Sequence, residues 1–472
     1  MLRVSAVAEK AGVPTSSLVC EGFTGQASTI SVGMGVPNLP IARVGGHVDV
    51  QSVDELRANI LGGTLDDVID NLTRQQTAVV SSNEPGPTDI VFEGSFDDVN
   101  RLFYENGWSD GLPIVPPTKA RIEAFLEFTD LAADEELGVI EPDNRRATPW
   151  SVAVNGVMAG CQPEYMPILV ALARAMANRD YGVEHSGNTP GAETLIVLNG
   201  PIIRQLGFNY EQGALRDGFQ ANTTIGRFWR LLLRNVAGFK LHQNDKGTYG
   251  NTFRVVLAEN EAVLADINWP PLAHDRGVAT GNNAVTIARF TGGDVLASAF
   301  GDNAEAILPY LADGIVKQHG WELVFTAGMA VGTLCPMLVL SPVLARTIAE
   351  SGFSRADVKQ YLYDHARKPA WQFERYIGEW TNLVPGRPTL AQLVDEGKAP
   401  AHFAATDDPD RHNPDRMVPI VASPDDFMIT VTGDPLRTNA YVFAHNGMLG
   451  YPVTEPVHLP REWEQLRRRH RR

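Results

Sequence analysis

A cysteine at a predicted helix start is the residue of this chain best suited to do chemistry. The stretch MAGCQPEYMP, residues 158–167, places Cys161 in a turn between two predicted helices, after Gly160 and before Gln162. A helix N-terminus favours a thiolate through its dipole and its free amide groups, which lowers the pKa of a cysteine there. The sequence therefore predicts Cys161 as a nucleophile. The alternative is a small residue that packs a tight helix–helix corner.

The other two cysteines offer a second candidate and a core residue. Cys20, in SLVCEGFTGQ, ends a predicted parallel strand, at the edge where α/β sheets place ligands, although buried cysteines are also common in strands. Cys335, in GTLCPMLVL, enters an apolar strand and is predicted to be core. The three cysteines form no CxxC pair, which excludes a disulfide framework and a thiolate zinc site and is typical of a reducing cytoplasm.

Residues 107–118, GWSDGLPIVPPT, are predicted to form a rigid loop beside a site. Their three prolines fix the backbone at little entropic cost. An aromatic and an acidic residue, Trp108 and Asp110, accompany them, so the loop is a candidate active-site wall, with Trp108 contacting substrate and Asp110 transferring protons. A structural Ω-loop is the equal alternative.

A predicted helix start offers an anion site. In QANTTIGRFWRLLLRNVAG, residues 220–238, Thr223 and Thr224 lie in the first turn and Arg227 one turn later. Hydroxyl groups and an arginine at a helix N-terminus can bind a carboxylate or a phosphate. Helix capping alone would also explain the threonines.

A polar loop, KLHQNDKGTYGNTFR at residues 240–254, could supply acid–base and binding groups. His242 is the candidate acid–base residue, with Lys246 and Tyr249 as candidate substrate contacts. Another polar loop, residues 181–193, precedes a predicted strand. The histidines and carboxylates of both loops lack metal-ligand spacing, so no metal is predicted. Neither GxGxxG nor GxxxxGK[ST] occurs, so no nucleotide or other cofactor is predicted.

Length and composition set the elements that must position these residues. The chain has 472 residues, 44% hydrophobic and 20% charged, which predicts a globular protein of two or three domains. Its 40 basic and 56 acidic residues give a charge of −16, which argues against nucleic acid and anionic membranes as partners. No apolar run approaches the length of a membrane span, so a cytoplasmic protein that acts on a small molecule is expected.

The pattern of elements predicts an α/β fold in several parts. Residues 1–80 alternate helices and strands, which indicates a parallel α/β half-domain. Residues 81–95 are polar, contain proline and glycine, and are predicted to be a linker. Residues 96–460 are predicted to form a larger mixed α/β domain. Residues 461–472 form a basic tail, interpreted as solvated or docked on the protein itself.

A sequence pattern that occurs twice suggests a duplication within the larger domain. LIVLNGPIIRQLGF and LVLSPVLARTIAESGF, residues 195–208 and 338–353, share a strand, a proline at the helix start, an apolar helix and a final Gly-Phe. Two related halves, about 150–270 and 290–400, with a cleft between them are therefore predicted. Coincidence is the alternative, because strand–proline–helix joins are common.

Several motifs resemble known families. Residues 1–80, with AVAEKAGVP, LVCEGF, GMGVPNLPIARV and SVDELRANILGGTLDDVIDNLT, resemble the C-terminal half of the UGSC-type (seleno)protein family, which is related in architecture to the substrate-binding selenoprotein component of glycine reductase. Residues from about 96 to 460, with DGLPIVPPT, VMAGCQPEYMP, LIVLNGPI and TTIGR, resemble a largely uncharacterised bacterial α/β family commonly fused to, or encoded beside, the first. The Sec/Cys-Gly-Ser-Cys signature of the first family is absent here.

The resemblance implies thiol chemistry on a small molecule and a partner. The leading expectation is an enzyme subunit, a lyase or oxidoreductase, that makes or breaks a carbon–heteroatom bond of a carboxylate- or carbonyl-bearing substrate. Cys161 or Cys20 would be its nucleophile. A homo-oligomer or a complex with a UGSC-bearing subunit is expected, since a half-domain leaves exposed strand edges. The alternatives are a non-catalytic scaffold of a thiol/selenol reductase complex and a cofactor-independent hydrolase or hydratase.

Overall fold

The N-terminal unit is a small parallel α/β arrangement, as the sequence predicts. A computed structural model describes residues 2–73, 86–404, 411–448 and 450–470. Strands β1 and β2 pair in parallel, with Ser17 opposite Ile41 and Cys20 opposite Val44. The elements of this unit are α1 (Leu2–Lys10), β1 (Ser17–Cys20), α2 (Thr24–Gly33), β2 (Ile41–Val44), α3 (Val53–Asn59) and α4 (Leu65–Thr73).

Helix α2 begins four residues after Cys20, in the glycine-rich stretch GFTGQ, whose composition alone would favour a turn. A Cβ atom on Gly25 would lie 2.7 Å from the carbonyl oxygen of Gln243. A Cβ on Gly33 would lie 2.0 Å from the oxygen of Pro142. These glycines therefore let a helix approach other backbone segments closely, which is a use of glycine that does not require a loop.

Residues 86–95 are exposed and lack regular structure, while the rest of the predicted linker, 81–85, lies outside the described residues. A helical region follows and covers one face of the main sheet. Its elements are α5 (Phe96–Glu105), α6 (Lys119–Leu126), β3 (Gly138–Ile140), β4 (Arg145–Ala147), α7 (Pro149–Ala159) and α8 (Met166–Ala177).

The remaining elements build and cover one large mixed sheet, so the predicted α/β class is confirmed. In chain order they are β5 (Glu193–Asn199), α9 (Ile202–Gln205), α10 (Gln220–Asn235), β6 (Val256–Ala258), α11 (Glu261–Asp266), α12 (Leu272–Asp275), β7 (Ala284–Leu296), α13 (Ala304–Gln318), β8 (Met337–Leu340), α14 (Pro342–Glu350), α15 (Arg355–His365), β9 (Arg367–Pro369), α16 (Ala370–Glu374), α17 (Leu390–Asp395), β10 (Met417–Pro419), β11 (Met428–Val431), β12 (Ala440–His445), β13 (Val453–Pro456) and α18 (Trp463–His470).

The large sheet runs in the order β11-β8-β12-β7-β5-β6, with β13 also paired to β7. The pairs β5–β6 and β8–β11 are parallel, and the other neighbours are antiparallel. The order β6-β5-β7 thus has the same pairing directions as β11-β8-β12. This repetition fits a duplication of the two segments that share the sequence pattern, which remains a prediction.

The sheet curls until its two edge strands meet. The amide of Asn260, just after β6, donates to the oxygen of Val431 at 2.7 Å, and the amide of Val431 donates to the buried carboxylate of Glu259 at 3.2 Å. Because side chains alternate along a strand, each strand contributes to two different cores. The inner core contains Leu195, Val197, Leu257, Phe290, Met337, Met428 and Phe443.

Each half of the sheet carries its own outer layer of helices. Ile196, Leu198 and Val256 pack on the first half's outer face with residues of α7, α8 and α10. The second half has a corresponding core with α13, α14 and α15. Helix α10 is thereby held against the sheet, which fixes the direction of its opposite, polar face.

The described part of the basic tail, residues 461–470, folds back on the protein. In α18, the indole of Trp463 donates to the Gln205 side chain at 3.0 Å, and Arg467 donates to the Gln205 backbone oxygen at 2.7 Å. The Trp463 ring also packs edge-on against Phe128. No helix in the described part of the chain combines the length and the apolar character needed to cross a membrane.

Candidate functional site

Three arginines line the polar face of helix α10. Arg227, Arg230 and Arg234 are three and four residues apart, so they lie along one side of the helix. The opposite side is apolar and buried, and includes Phe228 and Trp229. We call the three residues the arginine row.

Arg227 fastens the loop 107–118 to α10. Its Nε and Nη2 atoms donate to the two carboxylate oxygens of Asp110 at 3.1 and 2.9 Å, and Nη2 also donates to the oxygen of Pro113 at 2.9 Å. Further along the helix, Arg234 donates to the backbone oxygen of Gly107 at 3.2 Å, and Asn235 to that of Trp108 at 3.0 Å. The loop thus has a defined position over the helix.

This pairing changes the roles expected of Asp110 and Arg227. Burial raises the pKa of Asp110, but the hydrogen bonds and charge of Arg227, with the charge of Arg254, hold it below its ordinary value. An ionised carboxylate of this kind is unsuited to acid–base work near neutral pH. Arg227 in turn already binds a carboxylate of the protein and anchors the loop, while its role as a substrate ligand stays a prediction.

A second ion pair lies one turn further along the row. Arg230 contacts the carboxylate of Glu193 at 3.0 Å and that of Asp245 at 3.5 Å. Burial raises the pKa of Glu193, and the charges of Arg230 and Arg254 only partly oppose it. Sequence reasoning missed Glu193. Its signal is an acidic residue at the first position of the strand ETLIVLN, just before the apolar run LIVL.

Two separate polar loops of the sequence run side by side at this site. The amide of Lys246 donates to the oxygen of Gly187 at 3.1 Å, and that of Thr248 to the oxygen of Thr189 at 2.9 Å. A Cβ atom on Gly191 would lie 2.7 Å from the amide of Gly250, so the approach depends on glycine. The loops 183–193 and 240–254 therefore form one wall beside the arginine row.

Arg254 adds a fourth guanidinium group. Its backbone lies against Gly226 of α10, and its charge lowers the pKa of both Asp110 and Glu193. The Nε atom donates to the Thr252 hydroxyl at 3.1 Å. Within the described residues, no carboxylate lies within ion-pair distance of Arg254 or of Arg234.

Cys161 lies in the predicted helix–helix turn, but its predicted low pKa is wrong. Burial raises the pKa of the thiol to about 12, even though the Thr224 hydroxyl and the Arg227 charge act in the opposite direction. The turn Pro163–Tyr165 separates Cys161 from helix α8, which weakens the dipole, and the Cys161 amide already donates to Gly156. The two threonines have structural bonds: Thr223 accepts from the Gly218 amide, and Thr224 donates to the Gln220 oxygen.

The burial of the thiols predicts an order of alkylation. At pH 8, a thiol with a pKa of about 12 is ionised in only about one molecule in ten thousand, so iodoacetamide should modify Cys161 slowly. Cys20 is half-exposed and should react first, whereas Cys335, also buried with a pKa raised to about 12, is the matched control. Peptide mass spectrometry over time measures the order. Modification of Cys161 ahead of Cys20 would contradict it.

Among the described residues, none of the remaining predicted site residues makes a hydrogen bond or an ion pair with the arginine row. Cys20 ends β1 in the N-terminal unit. His242 is exposed, with a left-handed backbone, and the Tyr249 side chain is 97% exposed. The ring of Trp108 packs edge-on against Phe103. Lys246 and Trp108 both border the row through a neighbour, since Asp245 contacts Arg230 and Gly107 accepts from Arg234.

The described residues contain no group of three or more histidine, cysteine or acidic side chains placed to hold a metal ion. The fold and the site define an α/β protein with an arginine-rich polar face on one helix. Comparisons with protein families, with curated proteins and with solved structures find no match to this chain. The resemblance to the UGSC-type family therefore remains an expectation.

Proposed function

We propose that this chain is an enzyme subunit that binds a small carboxylate-bearing molecule at the arginine row and acts on it by proton transfer. The observation that carries the proposal is the presence of two half-buried guanidinium groups, Arg234 and Arg254, without a carboxylate in contact among the described residues. Burial and the charge of Arg230 lower the pKa of Arg234, and the charges of Asp110 and Asp245 only partly oppose them, so the guanidinium group is incompletely compensated. An anionic ligand would compensate it.

Glu193 is the proposed acid–base group. A carboxyl group with a raised pKa can exchange a proton nearer neutral pH than an ordinary glutamate, which general acid–base catalysis requires. Its contact with Arg230 fixes the orientation of the carboxyl group beside the row. These features favour a cofactor-independent hydrolase or hydratase.

Cysteine chemistry at Cys161 is the second candidate, as in a lyase that makes or breaks a carbon–heteroatom bond. The Arg227 charge favours a thiolate there, as does the Thr224 hydroxyl when it donates to the sulfur instead of to the Gln220 oxygen. With a pKa raised to about 12, however, the thiol needs a base to remove its proton during the reaction. The proton-transfer mechanism requires no such activation and is therefore preferred.

A second subunit is proposed to cover the N-terminal unit, in the reducing setting of the cytoplasm. Its two-stranded parallel sheet is unusual because parallel sheets are normally covered on both faces. Leu18 of β1 is 56% exposed, and Val4 and Val7 of α1 are also exposed. These surfaces support a homo-oligomer, or a scaffold role in a larger complex, beside the proposed activity.

Ligand-linked stabilisation tests the binding step. We expect carboxylates to raise the melting temperature of the wild-type protein. At a ligand concentration of a hundred times Kd, the free energy of unfolding should increase by about 2.7 kcal/mol. Arg234→Gln should reduce the rise, while Arg204→Gln, at an exposed position on α9, should keep it in full. An equal response of both variants would contradict the proposal.

Turnover tests the chemistry once a bound carboxylate is found. Glu193→Gln should bind the ligand but lose turnover, whereas Cys161→Ser should retain it. The reverse result would select the cysteine mechanism.

A further inference from the structure

The charges around α10 do not balance. Among the described residues, four arginines, Arg227, Arg230, Arg234 and Arg254, surround three carboxylates. Arg227 forms an ion pair with Asp110, and Arg230 forms ion pairs with both Glu193 and Asp245. Two guanidinium groups are left over, and they belong to different elements.

The two guanidinium groups without a carboxylate in contact lie toward opposite ends of the row. The backbone of Arg254 contacts α10 at Gly226, where a Cβ would meet the Arg254 carbonyl carbon at 2.3 Å. Arg234 lies two turns further on, so the attachment points are about 12 Å apart along the helix. The long side chains of Arg234 and Arg254 can bring their guanidinium groups closer together than this distance, but the two side chains start from its opposite ends. The Arg230–Glu193 pair lies between them.

A single anion at one end would leave the other guanidinium group unpaired. Arginine pairs most strongly with a carboxylate or phosphate group when each guanidinium has its own partner. Because the chain as a whole carries a charge of −16, a local excess of positive charge, four arginines against three carboxylates, is not a general property of its surface.

We propose that the substrate carries two negatively charged groups, one for Arg234 and one for Arg254, with its reacting centre beside Glu193. This inference rests on the proposed function and narrows its substrate class to dianions. Each group could be a carboxylate or a phosphate, since both suit a guanidinium.

Matched mono- and dianions test this directly. Isothermal titration would compare succinate, glutarate, adipate and pimelate with butyrate and hexanoate, and 3-phosphopropionate would represent the phosphate form. We expect one dicarboxylate length, or the phosphate compound, to bind at least about tenfold more tightly than the monoanions, because both guanidinium groups are then paired.

The variants Arg234→Gln and Arg254→Gln should each reduce dianion affinity to the level of the monoanions. Neither residue pairs with a carboxylate, so both variants should fold, which unfolding without ligand checks. Arg204→Gln is the surface control.

Two results separate this inference from the proposed function. If monoanions bind as tightly as dianions and Arg234→Gln alone abolishes binding, the dianion inference is overturned and the proposed function stands. If no mono- or dianion binds, both are overturned.

Discussion

Replacing Arg227 with methionine is expected to destabilise the protein by about 3–5 kcal/mol, because it leaves Asp110 buried without its cation. The Asp110 side chain is 6% exposed, and both of its oxygens accept from Arg227. The oxygens of Leu112 and Pro113 would lose the same donor. Urea unfolding measures the change in the free energy of unfolding.

An exposed ion pair provides the control for this variant. Arg346 contacts Asp266 at 2.8 Å, but their side chains are 42% and 59% exposed. Arg346→Met is therefore expected to cost about 0–1 kcal/mol. Equal losses in the two variants would show that burial of the Arg227–Asp110 pair does not matter.

The same pair gives a pH dependence with a defined sign. Because the pKa of Asp110 is lower in the folded protein, the pair contributes its stability above the ordinary carboxyl pKa of about 3.9. That contribution is lost as the pH falls through the lowered value. The stability difference between the wild type and Arg227→Met should therefore be constant near neutral pH and shrink under acid.

Gly226→Ala is expected to destabilise the protein by about 1–3 kcal/mol or more, although alanine is the better helix former. The added Cβ would lie 2.3 Å from the carbonyl carbon of Arg254 and 2.4 Å from the amide nitrogen of Val255. Both atoms belong to the backbone entering β6, so the segment must move and take Arg254 with it. Anion-induced stabilisation should fall as well.

A glycine with open surroundings provides the comparison. A Cβ on Gly62 would meet no atom within 4 Å, so Gly62→Ala should be neutral or slightly stabilising. Circular dichroism with urea unfolding measures both variants. A stable Gly226→Ala variant with unchanged anion binding would contradict the close approach of Arg254 to α10.

In the N-terminal unit, sequence patterns predicted the paired strands but missed one helix. Alternating helical and apolar segments predicted the parallel pair β1–β2, because strand and helix periodicity are local properties. The same reasoning missed α2, since Gly25 and Gly33 suggest a turn. Glycine is required at these two positions because the helix approaches Gln243 and Pro142 closely. Those residues are more than a hundred positions away in the chain, so a local sequence pattern carries no information about the contact.

Around α10, the sequence likewise indicated the segments of the site but not the contacts between them. The sequence singled out residues 107–118 and 240–254 and the start of α10, since prolines, polar runs and helix starts are visible in a single chain. It did not predict that Arg227 binds Asp110 or that Arg230 binds Glu193. Those partners come from different elements, and only packing chooses among the many acidic residues.

Cys161 shows the difference between what the sequence determines and what only the tertiary structure decides. The sequence by itself determined the α/β class, the turn that holds this cysteine and the types of residue near it. The tertiary structure alone decided its chemistry. Burial raises the pKa of the thiol to about 12 and outweighs the nearby helix, because desolvation depends on every atom packed around the sulfur. For the same reason, the absence of a contacting carboxylate at Arg234 and Arg254 becomes visible only when all their described neighbours are in place.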